Sequence, residues 1–149
     1  MGPFFSLGPW DEPYLTIENK PVTLNDIEHR ILRPIWQDHR LHYVLNCASI
    51  GCPNLSQTAY RATSIAQQMA DAQIAFLQHP RAISFTDRGE LQLTSLFDWY
   101  LADFAPDVFG LLAYLAVQRP DLAADLAAMA GNADAKINYV YDWDLNVVD

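Results

Sequence analysis

The sequence predicts a single mixed domain of the α/β or α+β class, rich in helix and with a small sheet. Helical and strand-like patterns are interleaved along the chain, which is typical of mixed folds. The 149 residues, of which 51% are hydrophobic and 18% charged, suffice for one compact core. We expect this domain to span residues 1–149, with residues 1–13 as an irregular lead-in because prolines and glycines interrupt them.

The first third of the chain is predicted to hold a helix between two strands. Residues 14–17 suit a short strand, and the ENKP that follows is typical of a turn. Thr23 is a suitable N-cap, with Asp26 three positions later, for a helix that loses its register near Pro34. Residues 41–47 are then predicted to form the second strand.

The middle of the chain is predicted to contain the longest helix and a β-hairpin. The helix is expected from Ser56 to residue 78, because one stripe at helical spacing is apolar: Ile65, Met69, Ala72 and Phe76. We expect this stripe to be core rather than a binding surface. Residues 82–86 and 91–93 flank the sequence DRGE, whose glycine suits the turn of a hairpin.

The last third is predicted to be mostly helical. Ser95 caps a helix with the sequence LFDWYLADF, which Pro106 stops. Pro106 and Pro120 then lie in the first turns of two Ala- and Leu-rich helices that end near Gly131. Residues 137–141 alternate in the way that a final strand does.

The charge balance excludes several classes of function. With a formal net charge of −9 and only nine scattered Lys and Arg residues, the chain lacks the basic surface that binds nucleic acid. No apolar run approaches the roughly 20 residues that span a bilayer, so we expect no membrane insertion. The start MGPFFSLGPWDEP has neither a basic segment nor a full apolar segment, so as written the chain is expected to be soluble and without an export signal.

Both cysteines lie in the stretch HYVLNCASIGCPNL. Cys47 is expected at the carboxyl end of a strand, where α/β folds commonly place sites, and the loop that carries Ser49 and Gly51 could present backbone N–H groups to an anion. Three roles stay open for Cys47 and Cys52: a reactive thiol, a structural disulfide, or a redox pair. The redox role is less typical, because C-x4-C is not the C-x-x-C spacing of thioredoxin-like proteins.

A thiol enzyme would need a base and a residue that orients it. Glu28 falls within the apolar sector of its predicted helix, so its carboxylate is expected to point inward, where it either pairs with an arginine or orients a histidine. His29 lies at the margin of the polar face and is either a surface residue or the base for Cys47. Asn46 is a second candidate for the orienting role. His42 would lie too far along a regular strand to act as the base and is expected in the core or at an edge.

Two clusters near the C-terminal half pair acids with large aromatic residues. The candidate binding residues are Asp98, Trp99, Asp142 and Trp143. Such sets line grooves for sugars or amines, although aromatic residues are more often core and aspartates more often caps. The histidines and cysteines match no closed structural zinc pattern, so we expect no metal and no cofactor.

Four motifs in order resemble the family called domain of unknown function 547: DIEHRILRP, HYVLNCASIGCPNL, LFDWYLADF and YVYDWDLN. They extend from about Pro9 to Asn146. The resemblance implies a domain that is often exported in bacteria, so an exported location is favoured over the cytoplasm. It also implies a distant likeness to papain-like thiol folds. Members usually carry an upstream helix rich in aromatic residues, and the chain is expected to begin after it.

Two principal hypotheses about function follow. The first is a thiol-dependent hydrolase or acyltransferase with Cys47 as nucleophile, His29 as base and Glu28 or Asn46 as orienting residue. The second is a non-catalytic binding or interaction domain in which a Cys47–Cys52 disulfide fixes a loop. A thiol redox protein is a third. The ligand would be a small molecule or a peptide, and the sequence indicates neither its identity nor the oligomeric state.

Overall fold

The computed structural model describes residues 9–132 and 135–146. It is rich in helix and has two small sheets, which confirms the predicted mixed fold class. The chain divides into two compact units, residues 1–39 and residues 40–149. The first eight residues of the predicted lead-in lie outside the described residues.

The first unit contains a β-hairpin followed by a helix. Strands β1 (Leu15–Ile17) and β2 (Lys20–Val22) pair antiparallel. The helix is π-helical over Asp26–Leu32 and continues as α1, Arg33–Trp36. The change from π to α geometry falls at Arg33, next to Pro34, and the helix ends two residues after this proline, at Trp36.

Thr23 begins this helix as predicted. Its hydroxyl accepts a hydrogen bond from the Asp26 backbone N–H at 2.9 Å, and the Asp26 carboxylate accepts one from the Thr23 N–H at 3.1 Å. This reciprocal pair satisfies two backbone N–H groups that would otherwise lack partners at the start of the helix.

The strand predicted over residues 41–47 is wrong. A short 3₁₀ helix, His39–Tyr43, occupies its first part, and an irregular segment follows. A strand would place neighbouring side chains on opposite faces, but His42 and Tyr43 are both buried. His42 stacks on Tyr100 with ring centroids 4.0 Å apart, while Tyr43 packs near Phe76. The helical turn therefore places both rings in the core.

The longest helix in the described part of the chain starts later than predicted. Helix α2 spans Ile65–Leu77, and the residues from Ser56 to its start form turns. The Gln68 side chain holds this segment in place, since its amide accepts from the Arg61 N–H at 3.1 Å and donates to the Ala59 carbonyl at 3.2 Å. The predicted apolar stripe is core in part, since Met69 and Phe76 are buried and Ala72 is half-buried, whereas Ile65 at the start of α2 is exposed.

A three-stranded sheet forms the centre of the second unit. Strands β3 (Ile83–Phe85) and β4 (Leu91–Thr94) pair antiparallel, which confirms the predicted hairpin, and Gly89 in its turn adopts a positive φ of 76°. Strand β5 (Ile137–Val140) pairs parallel with β4. The chain crosses from β4 to β5 through the helices.

Between β4 and β5, the described residues form four α-helices and one short 3₁₀ helix, which are α3 (Leu96–Trp99), α4 (Leu101–Phe104), α5 (Val108–Gln118), the 3₁₀ helix Pro120–Leu122 and α6 (Ala123–Ala130). The Asp107 carboxylate caps α5 by accepting from the Gly110 N–H at 2.8 Å. Residues of the helices and the sheet share one core, whose fully buried members include Leu77, Leu91, Leu93, Phe97, Leu111, Leu115 and Leu126.

Candidate functional site

An open groove lies at one edge of the three-stranded sheet. Because β4 and β5 are parallel, their last residues, Thr94 and Val140, end at the same edge. Strand β3 is antiparallel to β4, so the residues that precede it, including Arg81, reach that edge too. The groove has a volume of about 400 Å³ and is lined by Gly51, Arg81, Thr94, Val140, Tyr141, Asp142 and Trp143.

A bridged loop forms one wall of the groove. The sulfurs of Cys47 and Cys52 are bonded, and the Cα atoms lie 6.0 Å apart. The loop backbone pairs with the segment after β5, since the Gly51 N–H donates to the Asp142 carbonyl at 2.9 Å and the Ile50 N–H donates to the Asp144 carbonyl at 2.8 Å. Gly51 is buried against this segment, and any Cβ there would lie 2.9 Å from its backbone.

The hydroxyl groups of Ser49 and Tyr141 lie beside the Cys47 sulfur. Its Sγ lies 2.9 Å from the Tyr141 hydroxyl and 3.2 Å from that of Ser49, and the two hydroxyl oxygens are 2.7 Å apart. Burial raises the pKa of the Tyr141 phenol, although the hydrogen bond with Ser49 opposes this change. Tyr141 therefore carries a neutral hydroxyl at neutral pH, and it connects the cysteine bridge with the groove.

Asn46 fixes the start of the bridged loop. Its amide nitrogen donates to the Pro53 carbonyl at 2.8 Å, and its amide oxygen accepts from the Ala48 N–H at 2.9 Å. Ala48 has a positive φ of 64°, a conformation that L-residues adopt rarely. The Asn46 side chain thus supports a turn that the backbone alone would disfavour.

Arg81 is the cationic residue of the groove. One terminal nitrogen, Nη1, donates to the Ile50 carbonyl at 3.0 Å, and the other, Nη2, donates to the Asn54 side chain at 2.7 Å. The Nε–H is buried without a hydrogen-bond partner among the described residues. Burial also lowers the pKa of Arg81, because it removes water from the charged form.

Three aromatic rings form a cluster beside the groove. Trp99, Tyr141 and Trp143 have ring centroids between 4.6 and 5.5 Å apart. Trp143 is 70% exposed and Trp99 is 46% exposed, so neither indole is a core residue. The two predicted Trp positions therefore meet at the surface. Asp142 lines the groove, and its carboxylate accepts from the Asp144 N–H at 3.0 Å.

Sequence reasoning missed Arg81 and did not select Tyr141 as a site residue. Tyr141 directly precedes the predicted Asp142–Trp143 pair and carries the same signal, a large aromatic side chain beside an acid. Arg81 follows Pro80 at the start of a predicted strand. Only the pairing of β3 with β4 places it at the edge where the other residues lie. Asp98, also among the predicted binding residues, is exposed in α3.

Glu28 and His29 lie in the first unit. Glu28 is buried, with 7% of its surface exposed, so the inward orientation predicted from the helical pattern is confirmed. His29 is exposed, and its Nδ1 lies 2.9 Å from Nη1 of Arg33. Cys47 and Asn46 belong to the second unit. The grouping of these four residues into a catalytic site stays a prediction.

The second unit also contains a buried histidine–carboxylate pair. His42 is 4% exposed, as expected for a core histidine, and its Nε2 lies 2.7 Å from an Asp103 carboxylate oxygen. The ring is enclosed by Tyr100 and Phe104. The sequence separation of 61 residues gave no signal for this pairing.

The described residues contain neither a candidate metal cluster nor a candidate membrane span. Within residues 9–132 and 135–146, no three or more His, Cys, Asp and Glu side chains are grouped so as to hold a metal ion. Among the helices of these residues, none has the length and apolar character needed to traverse a bilayer.

Comparison with known proteins gives one match. Residues 6–77 match the model of a family described as "Protein of unknown function, DUF547". The match includes the bridged loop but ends before LFDWYLADF and YVYDWDLN. Curated proteins gave no match. Solved structures gave none either, so nothing supports the expected likeness to papain-like folds. This match supports the resemblance to the DUF547 family that the sequence motifs indicated, over residues 6–77 of the chain.

Proposed function

We propose that this domain is a non-catalytic binding module that holds a small ligand in the groove beside the Cys47–Cys52 bridge. The observation that carries the proposal is the composition of the groove wall, which combines a fixed guanidinium, an exposed indole and a carboxylate: Arg81, Trp143 and Asp142. Concave sites with an aromatic surface and a few polar groups at fixed positions are typical of small-molecule binding.

The size and rigidity of the groove support this role. Its volume of about 400 Å³ falls in the range of small-molecule sites, which is roughly 300 to 1,000 Å³. The bridge restrains the loop that carries Gly51, and the backbone pairing with Asp142 and Asp144 restrains it from the other side. A pre-organised wall lowers the entropy cost of binding.

Nuclear magnetic resonance titration tests the proposal. The ¹⁵N-labelled protein is titrated with six ring compounds: benzoate, benzamide, benzylamine, glucuronate, glucose and glucosamine. We expect at least one to shift the Trp143 indole signal and the Gly51 amide signal in a saturable way, while the amide of Gly131, remote in sequence, serves as the reference. If all six leave both groove signals unchanged up to their solubility limits, the proposal fails.

A second candidate function is supported by the surroundings of Cys47. In the reduced protein, one of the Ser49 and Tyr141 hydroxyls could donate to a Cys47 thiolate while the other donates to the first, since they lie 3.2 and 2.9 Å from the sulfur and 2.7 Å from each other. Such support suits a nucleophile of a hydrolase or acyltransferase, with His29 as base and Glu28 or Asn46 as orienting residue.

Alkylation distinguishes the two candidates. The bridged protein should take up no iodoacetamide before reduction and two adducts after it, as read by intact mass. In the reduced protein, a nucleophilic Cys47 reacts at about pH 6, well below the ordinary thiol range. Equally slow labelling of Cys47 in the Cys52→Ser variant and of Cys52 in the Cys47→Ser variant at that pH would remove the enzyme candidate. Full adduct formation without reduction would instead remove the bridge from the binding proposal.

A further inference from the structure

We propose that the groove selects ligands that carry a carboxylate on a ring, with Arg81 binding the carboxylate and the aromatic cluster of Trp99, Tyr141 and Trp143 contacting the ring. This inference rests on the binding function proposed above and names the class of ligand. Sugar acids and aromatic acids share this chemistry, and the experiment below separates them.

Arg81 is a cation without a counterion in the described part of the chain. Ion pairs of these residues involve other partners, and the Arg81 guanidinium bonds only to neutral groups, the Ile50 carbonyl and the Asn54 amide. Its face lies over the Phe76 ring at 5.4 Å, which further limits access of water. A partly buried, uncompensated charge gains more from an incoming anion than a solvated surface arginine does.

The guanidinium is also held in a fixed orientation. Ile50, in the loop, and Asn54, two residues after Cys52, accept hydrogen bonds from its two terminal nitrogens, so little side-chain entropy remains to be lost on binding. The Nε–H is buried and is therefore not the donor that a ligand would reach. Each terminal nitrogen carries a second N–H, and because arginine donors form a planar fork, a carboxylate is the group that fits this pair best.

The aromatic cluster supplies the contact for the ring. Trp143 lines the groove and exposes 70% of its surface, and it packs against Tyr141 with ring centroids 4.6 Å apart. Trp99 packs against both rings, with its ring centroid 4.8 Å from that of Tyr141 and 5.5 Å from that of Trp143. A flat, partly exposed indole offers a face to a sugar ring or to an aromatic ring at low entropy cost.

Asp142 lines the same groove and would favour an amine instead. Its carboxylate is exposed, accepts a hydrogen bond from the Asp144 N–H, and is therefore both solvated and partly satisfied. Arg81 is the less solvated of the two charges. The carboxylate class is accordingly favoured over the amine class, and amine binding is a result that would overturn the inference.

The six-compound titration is analysed in matched sets. We expect benzoate to bind at least about tenfold more tightly than benzamide and benzylamine, or glucuronate more tightly than glucose and glucosamine by a similar factor. Preference for benzoate identifies aromatic acids, and preference for glucuronate identifies sugar acids. Because the contact is ionic, the affinity of the preferred acid should fall as salt is raised, whereas that of its neutral analogue should not.

Variants assign the effect to Arg81. Arg81→Gln should weaken the preferred acid about tenfold or more and leave its neutral analogue unchanged, whereas Arg88→Gln, which removes an exposed guanidinium from the hairpin turn, should change neither. Amide spectra establish that each variant is folded. Should the wild-type protein bind neutral compounds or amines as tightly as acids, the carboxylate inference fails while the binding function stands. If no compound binds, both fail.

Discussion

Replacing Gly51 with alanine tests the close pairing of the bridged loop with the segment after β5. The new Cβ would lie 2.9 Å from both the nitrogen and the oxygen of Asp142 and 2.9 Å from a Tyr141 ring carbon. Carbon contacts favour about 3.5 to 4.0 Å, so the backbone segments must separate. Overpacking of this kind costs about 1–3 kcal/mol, and weakening the Gly51–Asp142 hydrogen bond adds about 1 kcal/mol.

We therefore expect Gly51→Ala to lower the free energy of unfolding by about 2–4 kcal/mol. For a chain of 149 residues this corresponds to a fall in Tm of roughly 6–12 °C, which calorimetry or circular dichroism measures. Gly131→Ala is the matched control, because its Cβ would meet only ordinary contacts at 3.6 Å and more, and the residue has a helical φ of −82°. If Gly51→Ala and the control melt together with the wild type, the close pairing described here is incorrect.

Three further predictions concern the bridge and two titrating groups. Replacing Cys47 and Cys52 together by serine opens a loop of sequence separation 5 and should cost about 2 kcal/mol by chain entropy, as measured by urea unfolding; no change in midpoint would contradict the bridge. The hydrogen bond from Arg119 lowers the pKa of Asp121, so its stabilising effect is present above the ordinary aspartate pKa and is lost as pH falls through the lowered pKa. Arg119→Ala should return the Asp121 carboxyl titration, followed by ¹³C resonance, to its ordinary position. Burial raises the pKa of Tyr43 well above the ordinary tyrosine value, so stability should fall as pH rises past that value. Tyrosinate absorbance should show at least one fewer ionising tyrosine in the folded protein than in denaturant, and the Tyr43→Phe variant should reduce this difference by one.

Elements specified by local chemistry were predictable from the sequence. The hairpin of β3 and β4 combines short apolar runs with a glycine that can adopt a positive φ. The start of the N-terminal helix follows from Thr23 and Asp26, which satisfy each other's backbone groups. These signals act within a few residues, so a single sequence contains all the information that they need.

Elements specified by distant contacts were not predictable in this way. Residues 41–47 have the composition of a strand, but His42 and Tyr43 turn inward together to meet α2 and the helices that follow β4. Serine is a residue type that often caps helices, so Ser56 was a reasonable N-cap. The Gln68 side chain, however, holds residues 59–61 outside the helix. In both cases tertiary contacts outweigh a weak local preference.

The residues of the candidate site divide in the same way, into those that local sequence predicts and those that only distant contacts bring to the site. The residue types of Asp142 and Trp143 predicted a binding role, and both residues line one groove together with Gly51. The Gly51 N–H, expected to be available to an anion, instead donates to the Asp142 carbonyl. Arg81 belongs to the groove only because β3 runs antiparallel to β4, which itself runs parallel to β5. The position of Arg81 near Trp143 and Tyr141 could not be predicted from the sequence, because no local pattern specifies the strand order of the sheet.

The pairing of residues 48–51 with residues 142–146 has a consequence for how the protein is made. Synthesis proceeds from the N-terminus, so the cysteine loop leaves the ribosome long before the segment that completes the groove. The bridge can close on a nascent chain, whereas the groove forms only when the final residues arrive, and contacts of such large sequence separation form slowly. A chain that ends before residues 142–146 would therefore contain the cysteine loop without the segment that completes the groove.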